Sequence, residues 1–150
     1  GYQMLGQVVA DPEGIEGPPG ETPGLGLLDI TTVMGGDKSL RLVQACHATL
    51  KQAFRGYEIH IGRSDGPDRR RPFAEIAGQP EGACSADGLV SGSYLHGMFA
   101  DDGFRRAWLT QLGARASDLG YDDGVEATLD ALADHLETHL DVAGLLGLAR

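Results

Sequence analysis

Apolar and polar positions change period along this chain, and each change marks an element. Gly1 to Val9, GYQMLGQVV, carries apolar side chains at Tyr2, Met4, Leu5, Val8 and Val9, a spacing that predicts a helix. Asp11 to Gly26, DPEGIEGPPGETPGLG, is rich in glycine and proline and reads as a loop. Leu25 to Val33 predicts a buried strand, carried by Leu27, Leu28, Ile30 and Val33 with the β-branched Thr31 and Thr32. Met34 to Asp37 reads as a turn, and Leu40 to Ala48 as a second apolar strand. Gly56 to Gly62, GYEIHIG, alternates. Tyr57, Ile59 and Ile61 share one face of a predicted strand, and Glu58 and His60 share the other. Ser64 to Pro72 reads as a loop, with Arg69, Arg70 and Arg71 in a solvated turn. Phe73 to Ile76 predicts a short strand, and Gly78 to Cys84 a turn region.

Asp87 to Phe99, DGLVSGSYLHGMF, alternates again. Leu89, Ser91, Ser93 and Leu95 point one way, and Val90, Gly92, Tyr94 and His96 the other. This predicts one strand ending on His96, where Gly97 lets the chain turn sharply. Asp101 or Asp102 is placed to cap a helix carried by Phe104, Ala107, Trp108, Leu109 and Leu112 and ended by Gly113. A second helix is expected from near Gly124. Its stripe of Val125, Leu129, Leu132, Leu136 and Leu140 is expected to pack one face on the body. Leu145 to Leu148 adds one more apolar turn. Short strands joined by glycine-rich turns and followed by helices predict an α/β fold with at least part of a mixed sheet.

A length of 150 residues suits one domain over residues 1–150, with room for a real core. The formal net charge of −10 argues against nucleic acid and anionic membrane as partners. No apolar run approaches the roughly 18 residues of a membrane span, and no signal peptide is visible. Cys46 and Cys84 form neither a disulfide framework nor a CxxC pair, so the chain is expected in the reducing cytoplasm with both thiols as small buried hydrophobes.

The candidate chemistry narrows on His96. A polar ring at the end of a buried strand can be a packed residue or a base. The Gly-rich segment near residue 24 lacks the lysine ending of a phosphate loop and the third glycine of a dinucleotide motif. His135 and His139 share a helix face, but Leu136 stands where a zinc-protease motif needs glutamate, and no third ligand is evident, so no metal is assigned. Neither cysteine lies on the sharp turn or helix N-terminus that activates a nucleophilic thiol.

Several separated segments give a more specific signal. They are GYQMLG at 1–6 with DPEGIEG at 11–17, RGYEIHIGR at 55–63, SYLHGMF at 93–99 with FRRAWL at 104–109, and ALADHLETHLD at 131–141. Together, and in this order, they resemble the C-terminal glutamine amidotransferase domain of the cobyric acid synthase family. The resemblance implies that residues 1–150 are the C-terminal portion of a class I, triad-type amidotransferase domain whose first strands lie upstream, and so form part of a flavodoxin-like, three-layer fold with a mixed sheet and C-terminal helices. It implies a nucleophilic cysteine in a glycine-rich turn just upstream of Gly1, with His96 as the base that serves it. It implies that Gln3, His60 and Gly62 bind the substrate glutamine.

Most class I amidotransferases orient the histidine with a glutamate two residues later. Met98 occupies that place here, a departure this subgroup shares, and Glu58 is the expected substitute. The resemblance implies no cofactor in this domain, with ATP and magnesium in an upstream synthase domain. That domain and glutamine are the expected partners. An exposed sheet edge and apolar surface predict self-association of the chain by itself. Two alternatives stay open: a glutaminase of a cell-wall lipid amidating enzyme, and a non-catalytic binding module on the same fold.

Overall fold

The computed structural model describes residues 1–36 and 38–148. A 3₁₀ turn, Tyr2–Leu5, precedes β1 (Val8–Asp11), so the helix predicted over Gly1 to Val9 is replaced by a turn and a strand. The cause is pairing. The Gln7 N–H donates to Ile30 O at 2.8 Å, and β1 then runs parallel to β3 (Thr31–Val33). The predicted loop contains β2 (Gly20–Pro23), which pairs antiparallel with β1. Every residue of β2 is exposed, so no hydrophobic pattern announces it. The Asp11 carboxylate closes the intervening loop, accepting from Ile15 N–H at 2.8 Å and Glu16 N–H at 2.9 Å. The expected strand from Leu25 is ordered as β only over its last three residues, while Leu28 and Ile30 are buried ahead of it. The turn predicted at Met34 to Asp37 ends on Asp37, which lies outside the described residues.

β4 (Ser39–His47) and β5 (Ala53–His60) form a long antiparallel pair, as the alternation predicts. β6 (Arg63–Asp65) joins β3, completing a mixed four-stranded sheet in the order β2-β1-β3-β6. The arginine run falls in and after a 3₁₀ turn, Pro67–Arg70. Two of its members bind the protein rather than standing free in solvent. Arg69 Nη1 donates to Ser64 O at 2.6 Å, and Arg71 pairs with the buried Asp68.

β7 (Ala74–Ile76), β8 (Gln79–Glu81) and β9 (Ala83–Cys84) follow. The predicted strand over Asp87 to Phe99 is broken into β10 (Ser91–Gly92), paired with β9, and β11 (Leu95–His96), paired with β5. A five-stranded antiparallel sheet results, ordered β11-β5-β4-β7-β8. A 3₁₀ turn at Met98–Ala100 leads into α1 (Asp102–Gln111), whose N-cap Asp101 accepts from Phe104 N–H at 3.0 Å.

The larger core lies between this sheet and α1, where Phe54, Phe73, Leu95 and Phe104 pack with Ala45 and Ala74. Tyr2, Leu28, Ile30 and Ala83 form a second core beside the mixed sheet. α2 (Tyr121–His139) and α3 (Val142–Leu148) complete the described chain. The expectation that α2 packs on the body does not hold here. It buries none of its residues, and Val125, Leu129, Leu132, Leu136 and Leu140 all remain exposed. An amphipathic stripe needs a partner face, and no described element supplies one.

Candidate active site

His96 owes its position to its neighbour. Leu95 is driven into the larger core, and the two-residue period of β11 sends the next side chain outward. His96 is therefore exposed, on the face it shares with its cross-strand partner Tyr57. The two rings stack, with centroids 5.2 Å apart and planes 13° from parallel. Gly97 adopts φ 73°, a left-handed conformation that turns the chain away immediately after the ring.

The same register corrects the expectation for Glu58. It pairs with Leu95, not His96, so its side chain occupies the opposite face of β5. Glu58 is buried and engages other groups. Arg41 Nε donates to its Oε2 at 2.6 Å, and His60 Nε2 lies 3.1 Å from its Oε1. Burial pushes this carboxyl up, but the hydrogen bonds and charges of Arg41 and His60 outweigh that and hold it below the usual glutamate value. Glu58 orients His60 rather than His96.

Gln3, His60 and Gly62 do come together. Gln3 Nε2 donates to Ile61 O at 2.8 Å and lies 3.4 Å from the Tyr94 hydroxyl. The His60 ring stacks on Tyr94 with centroids 3.9 Å apart, and its Nδ1 sits 3.1 Å from Gly62 O. Both ring nitrogens thus face acceptors, which fixes the ring along the strand edge. Gly62 has φ 88°, and a Cβ there would lie 2.6 Å from Val33 O, so only glycine lets this edge close on β3. The cluster continues through Tyr94 Oη to Ser64 Oγ and on to Thr32 Oγ1, each step 2.6 Å.

Glu58, His60, Gly62, Tyr94, Arg69 and Tyr2 are among the residues lining a cavity of about 330 Å³. The Tyr2 hydroxyl is buried there without a hydrogen-bond partner among the described residues, and burial pushes it to a higher pKa. Among the described residues, no hydrogen bond or ring contact joins His96 to this cluster. Sequence reasoning missed Tyr94, Ser64 and Arg41, although Tyr94 stands inside a motif already singled out.

Neither cysteine is placed to act with His96. Cys46 pairs across to Ala53 and Glu75, and Cys84 to Ser91. Burial pushes the Cys84 thiol up despite the nearby Arg71, which leaves it less nucleophilic. His135 and His139 lie side by side on exposed α2, and the described residues hold no group of three or more metal-ligating side chains. No described helix is long and apolar enough to cross a membrane.

Residues 1–104 match the model of the CobB/CobQ-like glutamine amidotransferase domain. Over 150 residues the chain is 68% identical to a cobyric acid synthase of Cereibacter sphaeroides, covering all of this chain and 31% of that protein. It is 67% identical to one of Rhodobacter capsulatus and 64% identical to one of Bradyrhizobium diazoefficiens, with the same coverage. The chain therefore spans about a third of the length of the curated relatives it matches. By its matched segments and its mixed α/β architecture, it belongs to the CobB/CobQ-like glutamine amidotransferase family.

Proposed function

We propose that this chain is part of the ammonia-supplying unit of a cobyric-acid-synthase-like enzyme in cobalamin biosynthesis. In this reading glutamine is hydrolysed here, and its ammonia is passed to an ATP- and magnesium-dependent domain of the same polypeptide. That domain amidates carboxylates on a corrinoid precursor. The observation that carries the reading is the convergence on Gln3 of segments 58 and 91 residues away, at Ile61 and Tyr94. Gln3 and the His60–Gly62 edge then border the substrate glutamine.

Hydrolysis of an amide needs a nucleophile, a base and donors for the oxyanion. Residues 1–150 supply the base in His96. In this reading, which rests on the family resemblance, the nucleophilic cysteine belongs to a glycine-rich turn just upstream of Gly1. His96 takes its proton, then returns one to the leaving ammonia. The exposed stripe of α2 supports self-association of the chain when it is isolated, which sedimentation reads directly.

Ammonia release from glutamine tests the assignment. The full polypeptide is expected to release it, and residues 1–150 alone are not. Steady release by the 150-residue chain would refute the placement of the nucleophile.

A further inference from the structure

The bend between β10 and β11 is held by a carboxylate outside the residues assigned so far. Glu81, at the end of β8, is 7% exposed. Its Oε2 accepts from the Ser93 hydroxyl at 2.6 Å, and its Oε1 accepts from the Tyr94 backbone N–H at 2.8 Å. Ser93 Oγ in turn accepts from the Leu95 N–H at 2.9 Å. Three consecutive residues are thus tied to one buried side chain, directly or through a single hydroxyl, and the next residue is His96.

Glu81 is itself fixed. Its backbone pairs with Ala74 on β7, and its carbonyl accepts from Phe73 N–H at 3.0 Å. A carboxylate taken out of water keeps its place only while its donors persist, so the contact holds the bend in one geometry. The bend also accounts for the broken alternation, because it separates β10 from β11 and gives β11 its own partner in β5.

We propose that Glu81 is a positioning residue for His96. Through Ser93 and Tyr94 it sets the register in which β11 meets β5, and with it the direction in which the imidazole is presented. The inference rests on His96 being the base of glutamine hydrolysis. A base displaced by about 1 Å loses on the order of a hundred-fold in rate. A residue that only stabilised the fold would instead affect every activity of the polypeptide alike.

The test uses the full polypeptide with Glu81→Gln, Ser93→Ala and Ser93→Thr. Glutamine hydrolysis and synthesis from free ammonia are measured side by side. Glu81→Gln is expected to lower kcat for glutamine by about ten- to a hundred-fold, with KM and ammonia-driven synthesis held. Ser93→Ala is expected to fall in the same direction. Ser93→Thr, which keeps the hydroxyl, is expected to recover most of the rate. Unchanged glutamine turnover in both Glu81→Gln and Ser93→Ala overturns the proposal, and so does a parallel loss of both activities. If Glu81→Gln does not fold, the Ser93 pair decides by the same criteria. The His96→Ala variant separates the two layers: glutamine turnover at the wild-type rate there refutes the reading of His96 itself.

Discussion

Tyr57 and His96 face each other across the β5–β11 pair with their rings stacked, 5.2 Å between centroids. Among the described residues of this strand pair no carboxylate shares that face, since Glu58 lies on the other one. The Tyr57 ring packs flat against the imidazole and restricts its orientation. An aromatic pair of this kind contributes about 0.5–1.5 kcal/mol. Tyr57→Ala is accordingly expected to lower glutamine turnover roughly two- to ten-fold. Tyr57→Phe, which keeps the ring, should hold the rate, and steady-state kinetics of the pair checks this.

Gly56 sits beneath the same contact. A Cβ there would lie 2.7 Å from His96 O, closer than any real contact. Gly56→Ala must push β11 off β5, at an expected cost of about 1–3 kcal/mol in stability. It should also lower glutamine turnover more than ammonia-driven synthesis. A thermal melt together with the two activity assays reads both effects.

Much of this was legible in the residues, for identifiable reasons. β4, β5 and α1 carry periodic apolar positions or an acidic cap, and each formed near its expected place. β2 and the break between β10 and β11 were not legible. β2 is held by backbone pairing with no buried side chain, and the break depends on Glu81, distant in sequence from the strand it bends. The gathering of Gln3, His60 and Gly62 followed from family motifs. The role expected of Glu58 failed on a matter of phase: sequence placed it beside His60 but could not give the register that set it opposite Leu95. The spacing of the α2 stripe makes the helix amphipathic, yet amphipathicity names an apolar face without naming what would bury it.

A pH prediction comes from His47, buried among Phe73, Phe104 and Trp108. Its Nδ1 accepts from Leu50 N–H at 3.0 Å, a bond that only the neutral ring can make there. Burial, aided by Lys51, pushes this histidine below its ordinary value of 6.5. The unfolded chain therefore binds the proton more readily than the folded one. Stability is full above about pH 6.5 and falls as the pH drops through and below that value. Urea unfolding from about pH 7.5 down to about 5.5 should show the decline, and a His47→Gln variant should flatten it.

The most direct measurement of the central claim is His96→Ala in the full polypeptide, assayed with glutamine and with free ammonia as nitrogen source. A general base of this kind contributes about 10²- to 10⁴-fold. The glutamine-driven rate is predicted to fall by that order, with ammonia-driven amidation retained. Loss of both activities together, or retention of both, would contradict the assignment of His96 as the base of glutamine hydrolysis.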